Sequence, residues 1–153
     1  MQRVSSASVE VLDAGAKTGG ARLAGSIGRG LLVYIGVGRE DTGEDAAWLA
    51  DKAANLRIFH DQAGLMNRSL LDEGASALVV SQFTLFADAR KGRRPSYSDA
   101  APPDLARGLY DDFVLRLRAL VGSVETGEFQ AEMRVTSANE GPVTILLDSR
   151  KTF

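Results

Sequence analysis

Ala77-Leu78-Val79-Val80-Ser81-Gln82-Phe83-Thr84-Leu85-Phe86 is the stretch whose reading decides the fold of this chain. Leu78, Val79 and Val80 are buried-strand residues, and Phe83, Leu85 and Phe86 predict that the strand continues to Phe86. Polar residues in a buried strand need hydrogen-bond partners, and Ser81, Gln82 and Thr84 stand together where the apolar run stops. One explanation is a satisfied strand end. The other is an active-site floor, where backbone N–H groups meet a developing oxyanion and the Thr84 hydroxyl positions or attacks a carbonyl.

Upstream of that stretch, Val4, Ala7, Val9 and Val11 alternate, which predicts a strand to Leu12. Asp13 to Gly20 is rich in Gly and Ala and reads as a loose hairpin connection, with Ala21 to Ala24 returning as the next strand. Gly25-Ser26-Ile27-Gly28-Arg29-Gly30 has a superficial likeness to a nucleotide loop, but its spacing is not G-x-G-x-x-G and no helical pattern follows. It reads as a turn before a strand from Leu31 to Val37. Thr42 is a good N-cap, with Glu44 and Asp45 in the first turn of a helix running to about Asn55. Ala46, Leu49, Ala53 and Leu56 line one face of that helix. Leu56 to His60 reads as a short strand, Asp61 to Gly64 as a turn, and Ser69 to Leu71 as a brief pairing segment.

Downstream, Pro102 and Pro103 open a second helix whose apolar stripe is Leu105, Leu109, Phe113, Leu117 and Leu120. Val124 to Thr126, Phe129 to Ser137 and Val143 to Leu147 read as three further strands. The expectation is an α/β chain, one domain over residues 1–153, with a mainly antiparallel, curled sheet and two flanking helices.

Composition narrows the chemistry. The chain has 153 residues, 44% apolar and 25% charged, as in an ordinary globular domain. It has no cysteine, which removes disulfides and thiolate chemistry and makes the cytoplasm the natural location. Its one histidine, His60, precedes a turn and reads as a surface residue, so paired-histidine metal sites within one chain are excluded. No cofactor and no metal are expected. No apolar run approaches the roughly 20 residues of a membrane span, so no membrane partner is expected. With a net charge of −2, the bulk surface is not basic. Any nucleic acid must be gripped by a local patch, and Arg90-Lys91-Gly92-Arg93-Arg94 is the candidate, with a solvated loop as the plain alternative.

Asn139-Glu140-Gly141-Pro142-Val143-Thr144 reads first as a turn between two strands. A cis Gly-Pro bond there would aim two carbonyl oxygens the same way, as a wall of acceptors without a side chain. Phe129, placed at the start of a strand, reads as core, with base stacking as the alternative.

Ser81-Gln82-Phe83-Thr84 resembles the S-Q-x-T motif of D-aminoacyl-tRNA deacylases, and Asn139 to Thr144 resembles their N-x-G-P-V-T motif. The likeness extends through Gln2-Arg3-Val4, Gly28 to Val33, Asn55 to Phe59, Met66-Asn67 with Ser69-Leu70, and Arg90 to Ser96. Two features depart from the pattern: a shorter lead before Gln2 and a longer Asp13 to Arg22 segment. The resemblance implies a barrel-like sheet in a homodimer, acting on the 3′ end of aminoacyl-tRNA and not on DNA. It implies hydrolysis of D-aminoacyl esters, and of mischarged glycyl esters, with the L form refused. Gly141 and Pro142 of one protomer would be the gate in its partner's site, refusing an L side chain through their carbonyls. Ser81, Gln82, Phe83 and Thr84 would line the ester. Asn139, Phe129 and Arg3 would lie near the bound end, with Phe129 by the terminal adenine and Arg3 by the Gly-Pro segment. Either the Thr84 hydroxyl is the nucleophile or the 2′-hydroxyl of the terminal adenosine assists. The second suits this sequence, since no histidine neighbours Thr84 to activate it. The competing class is a non-catalytic nucleic-acid-binding module using Arg90 to Arg94.

Overall fold

A computed structural model describes residues 1–13 and 20–152. The hairpin connection expected over Asp13 to Gly20 therefore lies, for residues 14–19, outside the described residues. Eight strands and three helices follow in the order β1 (Gln2–Leu12), β2 (Ala21–Ile27), β3 (Gly30–Ile35), α1 (Gly43–Asn55), β4 (Phe59–His60), β5 (Met66–Arg68), α2 (Leu70–Glu73), β6 (Ser76–Ser81), α3 (Pro103–Val121), β7 (Val124–Thr126) and β8 (Met133–Thr144). No described helix is long and apolar enough to cross a membrane.

The main sheet runs β2-β1-β3-β6-β7, with β8 added along β1. It is mixed, which corrects the expectation of an antiparallel sheet. β3 pairs parallel with β6, and β6 pairs parallel with β7. The reason lies in the connections: α1 and α3 are crossovers, and a crossover returns the chain in the same direction. A parallel strand is covered on both faces, which is why Leu31 to Ile35 and Ala77 to Val80 are continuously apolar. Leu31, Val33, Ile35, Ala77 and Val79 face the helices, packing on Ala46, Ala50, Ala53 and Ala54 of α1 and Phe113, Val114 and Leu117 of α3. The alternate residues Leu32, Leu78 and Val80 face inward, against Val4, Ala7, Val9 and Ile27. The sheet curls until β2 meets β7: a Cβ at Gly25 would lie 2.9 Å from the Thr126 carbonyl oxygen, so only glycine permits this approach. The result is a nearly closed, barrel-like sheet with helices on its outer face.

Thr42 caps α1 as expected, in a reciprocal box with Asp45, and the helix ends at Asn55. The α3 stripe is rotated from the expected one. Tyr110 and Val114 are buried, whereas Leu105 and Leu120 are exposed. Tyr110 can enter the core because its hydroxyl donates to the Val79 carbonyl at 3.0 Å. Ser69 to Leu71 is not a pairing segment: Ser69 and Asp72 form a capping box that opens the third helix, α2. The last two expected strands are one element. β8 begins at Met133, not Phe129, and runs through Gly141-Pro142 to Thr144 without a hairpin turn. Beyond it Ile145 exchanges backbone hydrogen bonds with Met1, at 2.9 and 2.8 Å.

Candidate active site

β6 stops at Ser81, five residues short of the end expected from sequence, because Gln82 turns the chain. The Gln82 N–H donates to the Ile35 carbonyl at 2.8 Å, and its own carbonyl accepts from the Leu85 N–H at 3.3 Å. Phe83 to Phe86 then form a single 3₁₀ turn, in which Phe83 is 58% and Leu85 55% exposed. A helical turn leaves its first N–H groups without partners inside it. Those of Phe83 and Thr84 donate to no other protein group among the described residues. Gln82 Nε2 donates to Thr84 Oγ1. That contact gives the hydroxyl a donor and no base. Among the described residues, neither a carboxylate, an imidazole nor an amine is hydrogen-bonded to Thr84. The Tyr110 phenol, which bonds the Val79 carbonyl close below, is pushed up to about 12 by burial and stays protonated at neutral pH. The turn thus offers two free backbone donors and no activated nucleophile.

Gly141 and Pro142, joined by a cis peptide bond, are both exposed. They lie in a bulge. On β1 only Arg3 separates Gln2 from Val4, whereas on β8 residues 140–143 separate their partners Thr144 and Asn139. Arg3 is the post beneath this bulge. Its side chain is 2% exposed, and its Nη1 donates to the Ile58 carbonyl at 2.5 Å. Its Nε lies 3.5 Å from the Glu140 carboxylate and makes no hydrogen bond. Gly141 has φ +118, and a Cβ there would come within 2.8 Å of Arg3 Nη2. Exposed Asn139 donates to Thr144 Oγ1 at 3.2 Å across the base of the bulge.

The bulge and the turn stand on different strands and at different levels of the sheet. Arg3 is level with Leu31, and Leu31 with Ala77, four residues before Ser81 along β6. Two strands, β1 and β3, intervene between β8 and β6. Strand rise and spacing then put Gly141 on the order of 20 Å from Ser81 of its own chain, measured along the sheet.

Other expected residues fall in two groups. The basic loop hinges on an Asp88–Ser96 bridge beside the turn, where the Tyr97 ring meets Phe83 edge-on at 5.1 Å. Arg90 is taken up by Asp88, at 2.8 and 2.7 Å, and this pairing lowers the Asp88 pKa to about 2. Lys91, Arg93 and Arg94 are exposed and have no ion pair among the described residues. Phe129 sits in a turn, half-buried against the core and 6.0 Å from the Tyr110 ring. The Gly127 N–H just before it donates to the Val79 carbonyl at 3.1 Å, so Phe129 lies at the same sheet end as Ser81. Sequence reasoning missed Arg107, whose guanidinium stacks 5.1 Å from the Phe129 centroid. Its exposed helical position carries no motif. His60 is exposed at the end of β4, in the separate two-stranded β4–β5 sheet.

A cavity of about 680 Å³ opens next to the turn, floored by Val33, Ile35, Leu49 and Phe113 and flanked by Leu85, Phe86 and Leu146. Neither Ser81 to Thr84 nor Gly141-Pro142 lines it. Among the described residues no cluster of His, Asp or Glu side chains is placed to hold a metal.

The sequence profile described as D-Tyr-tRNA(Tyr) deacylase matches residues 1–148. The chain belongs to that deacylase family. The chain is 58% identical over 149 residues to the D-aminoacyl-tRNA deacylase of Thermomicrobium roseum, covering 97% of this chain and 92% of that one. It is 56% identical over 145 residues to that of Desulforudis audaxviator, covering 95% and 97%. Among solved structures, the c-Myc DNA Unwinding Element Binding Protein superposes with a TM-score of 0.85 at 37% identity, over 96% of this chain and 95% of that one. A probable eukaryotic D-amino acid tRNA deacylase, 19% identical over 92% of both chains, shares the fold with a TM-score of 0.74. The deacylase relatives thus span almost the whole chain, including both the turn and the bulge.

Proposed function

We propose that this chain is an esterase that releases D-amino acids, and mischarged glycine, from the 3′ end of tRNA. Membership of the deacylase family supports the substrate. The observation that carries the chemistry is the pair of N–H groups at Phe83 and Thr84, unpartnered among the described residues, beside a hydroxyl that has no base there. An aminoacyl ester is already activated, so stabilising the tetrahedral oxyanion supplies most of what hydrolysis needs. The 2′-hydroxyl of the terminal adenosine assists attack, and Ser81, Gln82 and Thr84 hold the ester in place.

The working unit is a homodimer. A gate that discriminates at the α-carbon must touch the ester, yet Gly141 and Pro142 lie far from the turn of their own chain. The exposed bulge of one protomer therefore closes the turn of its partner, covering the apolar surface of Phe83 and Leu85. The Gly141 and Pro142 carbonyls then stand where an L side chain would project. A D side chain, or none, points away. Asn139 and Arg3 hold the gate in shape, and Phe129 lies where the terminal adenine docks. The loop cations Lys91, Arg93 and Arg94, and to a lesser degree the paired Arg90, meet acceptor-stem phosphates. The net charge of −2 favours a grip through this local patch over binding along duplex DNA. The test is deacylation of matched D-Tyr-tRNA and L-Tyr-tRNA. Hydrolysis of the D form with the L form spared is the expected result, and equal rates would refute the reading. Salt-dependent RNA binding without any hydrolysis would favour a binding module instead.

A further inference from the structure

Phe129 is held by two residues of α3. Tyr110 is buried and fixed to the Val79 carbonyl, and its ring is tilted 45° from that of Phe129. Arg107 stands on the same helix, three residues earlier, with its guanidinium carbon 5.1 Å from the Phe129 centroid. Most arginines of this chain face a carboxylate: Arg22 faces Glu128, Arg116 faces Asp112, and Arg150 faces Glu40 and Asp41. Arg107 is exposed and lies over the aromatic ring, with no ion pair among the described residues. A guanidinium stacked on a ring keeps its edge N–H groups free for an anion. Its position is specific too. Thr126 pairs with Val79, so Phe129 leaves β7 at the end of the sheet where the catalytic turn leaves β6. Neighbouring strands lie about 5 Å apart, within the span of one nucleotide.

We infer that Arg107 is a substrate-binding residue: backed by Phe129, its guanidinium grips the phosphate of the terminal nucleotide while the ester lies in the turn. The inference rests on the deacylase reading and adds to it the residue that recognises a phosphate rather than the amino acid. It separates Arg107 from the loop cations, which are carried by the segment between Asp88 and Ser96 and serve the stem.

The experiment compares two esters, D-Tyr-tRNA and D-tyrosyl-adenosine, which has no phosphate. Arg107→Ala should raise KM for D-Tyr-tRNA about tenfold with kcat unchanged, and Arg107→Glu should raise it further. The log–log salt slope should fall by about one, and Arg107→Lys should restore part of the loss. On D-tyrosyl-adenosine the KM of all three variants should rise far less than on D-Tyr-tRNA. An unchanged KM on tRNA would overturn the inference, as would equal losses on both esters, which would mark a packing role. A wild-type protein that hydrolysed neither ester would overturn the deacylase reading as well.

Discussion

The Ser81–Thr84 turn and the Gly141–Pro142 bulge both interrupt a strand, and they do so in opposite ways. The turn ends β6 and leaves donors unsatisfied: among the described residues the Phe83 and Thr84 N–H groups have no protein partner. The bulge is an excess of backbone inside β8, braced from below by a buried arginine that reaches Ile58 and faces Glu140. One region is poor in partners and the other is tightly supported. A group that must bond a transient oxyanion is best left empty. A group that must refuse a side chain is best held rigid. The same backbone irregularity thus serves opposite ends depending on what lies beneath it.

The contrast can be broken first at the turn. Phe83→Pro removes one free N–H at the first helical position, where proline is tolerated, while Phe83→Ala keeps the N–H and removes the ring. We expect kcat to fall roughly 10²-fold in the proline variant and only a few-fold in the alanine variant. Equal losses would show that the ring, not the donor, matters. At the bulge, Gly141→Ala places a Cβ at φ +118 against Arg3 and should displace the gate. D/L selectivity should fall about tenfold, the size of a poorly fitted contact. Selectivity equal to wild type would separate the bulge from chirality.

A smaller effect is expected from Thr84→Ala, since no base activates the hydroxyl. Activity should stay within about tenfold of wild type. Complete loss with the fold intact would make Thr84 the nucleophile. The smallest effect sharpens the edge of the site. Arg90 holds the Asp88 carboxylate charged down to about pH 2, so the pairing persists above that point and is lost as pH falls through it. The Asp88 carboxyl carbon should titrate in NMR with a midpoint near 2. A midpoint near 4 would mean that the basic loop is untethered and that Arg90 is free for phosphate.

Much of this was legible in the sequence, for physical reasons that also mark where legibility stopped. Thr42 and Asp45 announce α1 because capping is local chemistry. Ser69 and Asp72 carry the same signal and open α2, but a helix this short is easily overlooked. The apolar runs at β3 and β6 fixed burial correctly, yet strand direction depends on crossovers that periodicity does not encode. Phe83, Leu85 and Phe86 fit a strand by residue type, and the turn that claims them is set by the Gln82 backbone hydrogen bonds instead. Tyr110 displaced leucines from the α3 stripe because it found an acceptor across the core. The two motifs were visible, but their separation within one chain was not, since it depends on the register of four strands. Arg107 gave no signal at all, being one exposed helical arginine among several.

Mixing two defective proteins tests the shared site most directly. Gly141→Val strains the backbone at φ +118 more than the alanine variant does and should push the bulge into the space the ester occupies, so it and Phe83→Pro should each be nearly inactive alone on D-Tyr-tRNA. After dissociation and reassociation, mixed dimers carry both defects in one site and none in the other, so about a quarter of wild-type activity should return at equal proportions if pairing is random. Activity that stays at the level of the separate variants, in a preparation shown to contain mixed dimers, would place the turn and the bulge of each site on a single chain and contradict the account.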